Sequence, residues 1–273
     1  GLTLCFGVAN ILNLAHGTLY ALGAYLAATL SDGTWTALLL SVAVASVAAA
    51  AGGATIAGLV TPIVTRGHLA QALLTFGLAL IGADLISSAF GARELPVRLP
   101  AAIDRPVTVF GHSYPGYRLV FIAVAATIAV ALWLVITRTR AGALVRAAVD
   151  DQEMLACLGV DPLRVRLGVL AAAGALAGLA GALGAPIIGP GPGTAGTVLL
   201  LSLVVVVLGN PGSIGGALLA AVAVGEVQTL GVTIAPSAAP FLLSAAMAVV
   251  LAARARRDAG TGPRAPGGLP VDR

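Results

Sequence analysis

The chain of 273 residues contains no lysine, so all 15 of its basic side chains are arginine. Charged residues make up only 10% of it, where soluble domains carry about 25%. A water-facing surface cannot be built from so small a pool, which excludes a soluble globular enzyme and a disordered chain. The net charge of +4 and the isoelectric point near 9.7 do not make a nucleic-acid binder, because the arginines are scattered between long apolar runs. Lysine-free, alanine-rich usage fits coding in a GC-rich genome. Two cysteines, Cys5 in an apolar run and Cys157 in a polar one, make no disulfide framework. His68 and His112 are isolated, and no pair of histidines or cysteines has metal-ligand spacing, so neither metal nor cofactor is expected. There is no G-x-x-x-x-G-K-[ST] phosphate loop, nucleophile elbow or pair of catalytic carboxylates, so the chain itself is not expected to be an enzyme.

What it has in abundance is apolar surface: 59% hydrophobic residues and a mean hydropathy of +1.02. About 20 apolar residues make one helical crossing of a bilayer. By that measure the runs are 2–30, 35–60, 69–90, 119–136, 167–188, 198–208, 214–230 and 241–253. The expected architecture is therefore an all-α polytopic transmembrane bundle of about eight spans, occupying residues 1–253. The sixth run is short, and is either a span or a re-entrant segment buried in protein; its VVVV stretch stays helical because a lone strand in lipid leaves its backbone unsatisfied. The first run starts without a basic leader, so the natural start is expected upstream of Gly1. Residues 254–273 read as a disordered cytoplasmic tail.

Two polar stretches interrupt the apolar pattern. Residues 91–118 hold four prolines and alternate through VRLP and VTVF, which predicts a small extramembrane hairpin or loop. Residues 137–166 form the other. If each run crosses once, Arg66, Arg138, Arg140, Arg146, Arg164, Arg166, Arg254, Arg256 and Arg257 share one side, and Arg93, Arg98, Arg105 and Arg118 the other. The arginine-rich side, with 137–166, should face the cytoplasm.

That cytoplasmic stretch is heavily punctuated. Asp150 and Glu153 have the spacing of a capping box, and a short helix would follow through Met154, Leu155 and Leu158. Gly159 can close it in the left-handed conformation, and Asp161-Pro162 caps and opens the next helix. Such a segment is either an ordinary well-capped loop or a rigid helix that seats in a groove of a cytoplasmic partner.

Polar residues inside the apolar runs are the other candidates. Asn10, Asn13 and Gly17 recur at helical spacing, with His16 beside them and Tyr20 one turn on. Carboxamides facing lipid are costly, so this stripe faces other helices, either as hydrogen-bonding glue or as the lining of an aqueous path. Gly17 after His16 is also a place for the first run to break in two. Asp84 and Glu226 are lone acids in apolar runs, each either a functional ionic site or a protonated acid donating one bond within the bundle.

Four stretches together carry a resemblance. Arg146-Ala147, Asp150-Asp151, Leu158-Gly159-Val160 and Arg164 resemble the cytoplasmic loop of branched-chain amino-acid ABC transporter permeases of the LivH type. GALAGLAGALGAP at 174–186 resembles the small-residue helix that follows in that family. FGVANILNLAHGTLYALGAY at 6–25 resembles its Asn-x-Ala-His-Gly stretch, and VVVVLGNPGSIGGALLAAVAVG at 204–225 its Gly-Ser-Ile-x-Gly-Ala segment. The chain departs from the family pattern at Leu155, Thr61-Pro62, Asn210-Pro211 and Gln228, and at Asp84, where an amide is common.

The resemblance implies a multi-pass permease subunit of the bacterial cytoplasmic (inner) membrane that carries amino acids. It implies a second permease subunit, two ABC ATPase subunits and an extracytoplasmic solute-binding protein, which would meet the 91–118 loop. Arg146, Asp150, Asp151, Glu153, Leu155, Leu158, Gly159 and Asp161 would form the coupling helix and its supports; the resemblance places the Asn-x-Ala-His-Gly stretch in the permease core, and Asn10, Asn13, His16, Gly17, Asp84 and Glu226 are the candidates to line the path. Gly174, Gly178, Gly181 and Gly184 form a packing seam, either within the chain or between two permeases. Two other readings remain: an ion- or proton-coupled carrier that works through Asp84 and Glu226 without ATP, and a membrane-embedded enzyme using His16 with an acid.

Overall fold

The computed structural model describes residues 1–8, 11–109, 112–150, 157, 159–210, 212–234, 245, 248 and 252. Along them run α1 (Leu2–Val8), α2 (His16–Leu30), α3 (Trp35–Val60) with a 3-10 extension (Thr61–Arg66), and α4 (His68–Phe90). After α5 (Ala101–Asp104) come β1 (Pro106–Val109) and β2 (His112–Pro115), then α6 (Gly116–Arg138) and α7 (Arg140–Asp150). The described fold closes with α8 (Pro162–Ile188), α9 (Thr194–Gly209) and α10 (Ile214–Ile234).

Five helices among the described residues are long and apolar enough to cross a bilayer: Trp35–Val64, His68–Phe90, Gly116–Arg138, Pro162–Ile188 and Ile214–Gly231. The chain is thus an all-α multi-pass membrane bundle, but the expected eight spans reduce to five on these residues. The first expected run is broken into α1 and α2. The sixth, α9, has 16 residues, or about 24 Å of helix against about 30 Å of hydrocarbon. The eighth run lies outside the described residues apart from 245, 248 and 252, and so does the tail.

The centre is a triangle of α2, α3 and α8, whose mutual contacts are the most extensive in the chain. In lipid there is no hydrophobic force between helices, so close backbone approach has to supply the attraction. The sequence meets this with small residues inside and large ones outside. Ala37, Ser41, Ala45, Ala49, Gly53 and Ala57 recur every four residues along α3 and are buried, while Leu39 and Val47 on the same helix stay about two-thirds exposed. On α8 the matching stripe is Ala173, Gly174, Ala177, Gly178, Gly181 and Ala185, all buried. A Cβ on Gly174 would strike the Ala49 carbonyl, on Gly178 the Ala45 carbonyl, and on Gly181 the Tyr20 carbonyl. The glycine seam of α8 therefore closes within the chain, against α2 and α3.

The hairpin expected in 91–118 is present, pairing Val107 with Tyr114 and Thr108 with Ser113 in antiparallel register. Its approach is fastened over the bundle end: Leu95 N donates to Pro190 O at 3.1 Å and Arg98 N to Ser31 Oγ at 3.1 Å. Tyr117, at the start of α6, donates its hydroxyl to Leu183 O at 2.6 Å.

Candidate functional site

The break between α1 and α2 is the most polar place in the core. Residues Ile11 to Ala15 are not helical, and Asn13 and Thr75 are almost completely buried. Thr75 lies seven residues into α4, about 10 Å along that helix, so the non-helical backbone sits at membrane depth. Such backbone is tolerated there only when protein or a water-filled path satisfies it. Here side chains do much of that work. Leu14 N donates to Thr75 Oγ1 at 3.2 Å, and Thr75 Oγ1 lies 2.9 Å from Leu12 O as donor. Its single proton is shared with the Gln71 and Ala72 carbonyls of its own helix. Asn13 Oδ1 accepts from Ala15 N at 3.1 Å, and Ile11 N reaches back to Cys5 O at 3.2 Å. Thr18 Oγ1 donates to Ala79 O at 3.2 Å, tying the first turn of α2 to α4.

This corrects two sequence expectations. The asparagine stripe does not run along one helix, because Asn13 stands in the break; Asn10 lies outside the described residues. The chain breaks before His16, and Gly17 is helical. Asn13, from within the break, and Thr75, from α4, offer the backbone partners that compete with the helix ladder.

Other elements converge on the break. His16 opens α2 with its Nδ1 buried and without a hydrogen-bond partner among the described residues, and a Cβ on Gly1 would fall 2.6 Å from His16 Cε1. Gly17 presses on α9, where a Cβ would meet the Ala195 carbonyl. Gly7, near the end of α1, presses on Gly212 in the turn between α9 and α10. That turn holds Asn210 at φ +71° and Gly212 at φ +84°. Two of the four stretches that carry the family resemblance, 6–25 and 204–225, therefore meet in space beside the break, and a third, 174–186, packs on α2 further along, where Gly181 lies against Tyr20. Gln71, Thr75 and Thr18 were missed at the sequence level. The spacing of four between Gln71 and Thr75, inside an apolar helix, was the available signal.

Asp84 and Glu226 are not in this cluster. Both are exposed on the outer surface of the single chain, Asp84 on α4 and Glu226 on α10. No group of three His, Cys, Asp or Glu side chains among the described residues could hold a metal.

In the 137–166 stretch the structure adds an element that sequence reading passed over. α7 begins at Arg140, and Ala141, Leu144, Val145 and Ala148 give it an apolar stripe at helical spacing. It folds back on the end of α6: Arg146 donates to the Ile136 carbonyl, and Gly142 is pressed so closely on the same carbonyl that a Cβ would collide with it. Asp150 is the last described residue of α7; Asp151, Glu153, Leu155 and Leu158 lie outside the described residues. Beyond them Gly159 has φ +81°. Asp161 caps α8 by accepting from Leu163 N at 2.9 Å, and pairs with Arg164 at 3.5 Å.

A sequence profile described as branched-chain amino acid transport system, permease component, matches residues 1–253. The probable branched-chain amino acid transport permease protein LivH of Methanocaldococcus jannaschii is 27% identical over 244 residues, covering 84% of this chain and 74% of that protein. The high-affinity permease protein LivH of Escherichia coli K12 is 27% identical over 245 residues, covering 84% and 79%. The corresponding BraD of Pseudomonas aeruginosa is 26% identical over 251 residues, covering 85% and 80%. No solved structure matches. With the match running through every described element, the chain belongs to the permease family of branched-chain amino acid transport systems.

Proposed function

We propose that this chain is a permease subunit of an ABC importer for branched-chain or related amino acids in the bacterial cytoplasmic membrane. The observation that carries this reading is the broken helix at membrane depth. Discontinuous helices hold backbone groups outside the helix ladder in a buried place, which is how many transporters build a transient solute site. Asn13, His16 and Gly17, with Asn10, would contribute to such a path from one side. Asp84 and Glu226 open outward from the single chain. A second permease subunit completes the path if these acids belong to it, since intramembrane carboxylates face protein or water and not lipid.

Power would come from two separate ABC ATPase subunits gripping the segment between α7 and α8. Both supports of that segment suit a rigid lever: Arg146 locks α7 to α6, and the Gly159 turn with the Asp161 cap fixes the start of α8. The hairpin end would receive an extracytoplasmic solute-binding protein.

The test is reconstitution of the chain with its partner subunits in proteoliposomes. ATP-dependent uptake of labelled leucine, requiring the binding protein, is expected. Uptake that continues without ATP and collapses with the proton gradient would overturn the proposal in favour of a secondary carrier.

A further inference from the structure

A second feature lies away from the broken helix, at the arginine-rich end of the bundle. Where α7 folds back on α6, the two helices and α8 enclose a lateral cavity of about 480 Å³. Its walls are apolar, with Leu4, Ile136, Val145 and Val169 among them, and Arg164 is the one charged residue on its lining among the described residues. Arg138 and Arg140, at the joint between α6 and α7, are exposed and make no ion pair among the described residues. Among the side chains described, Asp161 is the acidic group nearby; its pair with Arg164 is exposed, and such pairs hold weakly in water. α7 itself has the make-up of an interfacial helix, apolar on one stripe and bearing arginine at its start.

We infer that this cavity is a binding site for one anionic phospholipid, with an acyl chain between α6, α7 and α8 and the phosphate on Arg138, Arg140 and Arg164. Charge complementarity decides the occupant. Arg164 on the lining, with Arg138 and Arg140 in the joint between the lining residues Ile136 and Ala141, over a dry groove at the end of membrane helices suits an acidic headgroup with its tail. A zwitterionic lipid gains less from these arginines, and a free anion gains nothing from the walls. The site does not depend on the transport reading.

The experiment is native mass spectrometry of the purified full chain in detergent, offered equal amounts of POPG and POPC. One POPG retained several-fold over POPC is expected. Gly168 lines the cavity, and a Cβ there meets open space, so Gly168→Leu should fill the groove and remove the retained lipid without unfolding α8. Arg138→Gln with Arg164→Gln should remove the preference for POPG and leave helix content unchanged. Equal retention of both lipids by the parent chain overturns the inference. So does POPG retention that survives both variants, and so does loss of ATPase-subunit binding by Gly168→Leu with POPG retention intact, which would make the groove a protein seat. A photoreactive POPG analogue on the unmodified chain gives a check independent of variant folding. Its crosslinks should map to α6, α7 and α8 near Ile136, Val145 and Val169, and crosslinks confined to other helices count against the site.

Discussion

The Thr75 hydroxyl serves two backbone groups of the break at once, accepting from Leu14 N and facing Leu12 O as donor. Thr75→Val keeps the shape and removes both bonds, leaving buried groups unpaired at a cost of about 1–3 kcal/mol. A lower thermal midpoint in detergent and weaker leucine uptake are expected; unchanged values would mean water replaces the hydroxyl. Glycines give a second residue-scale contrast. Gly181→Ala drives a Cβ into the Tyr20 carbonyl, where neither backbone can yield, and should destabilise by about 1–3 kcal/mol. Gly196→Ala, with open space at its Cβ, should be neutral or mildly stabilising, because alanine is the better helix former. Equal thermal shifts for the two would contradict the packing assigned to the seam.

Among the elements, what the sequence revealed depended on the physics that placed each one. Spans α3, α4, α6, α8 and α10 were legible because length and hydropathy alone dictate a crossing helix. The Asp161-Pro162 opening of α8 was legible too, since capping is decided by neighbours in sequence. That the first run could break in two was legible from Gly17, but the place of the break, before His16, was not, because Thr75, which serves Leu12 and Leu14 there, sits on α4 and only the fold brings it in. α7 escaped notice since its arginines interrupt the apolar run, although Ala141, Leu144, Val145 and Ala148 carry the period. Of the candidate path residues, Asn13, His16 and Gly17 gather around the break, whereas the outward placement of Asp84 and Glu226 could not be read from a pattern without a bundle. At this scale the turn at Gly159 carries its own prediction. A β-branched residue at φ +81° is strained, by about 1–2 kcal/mol, so Gly159→Val should distort the joint into α8. ATP hydrolysis by the assembled importer should persist while solute uptake falls; normal uptake would separate this turn from coupling.

Taken whole, the bundle is an inner triangle of α2, α3 and α8 with looser helices around it. Asp84 and Glu226 lie on that outer layer, so their neutralisation tests what covers them. Asp84→Asn with Glu226→Gln should insert normally and retain most ATP-driven uptake; abolished uptake with normal insertion would establish an ionic role for the pair. Among the described membrane spans the most peripheral is α6, whose most hydropathic 18-residue window has no buried residue. A lipid-soluble photolabel should mark α6 heavily and the small-residue face of α8 hardly at all; comparable labelling would place α6 inside the assembly. Between its Tyr117 anchor and the Ile136 carbonyl that Arg146 grips, this helix is held among the described residues almost entirely by its two ends. Its middle can therefore drift through generations of oily substitutions with little penalty, so distant cousins should agree least along this stretch and a borrowed span of equal length could be grafted there.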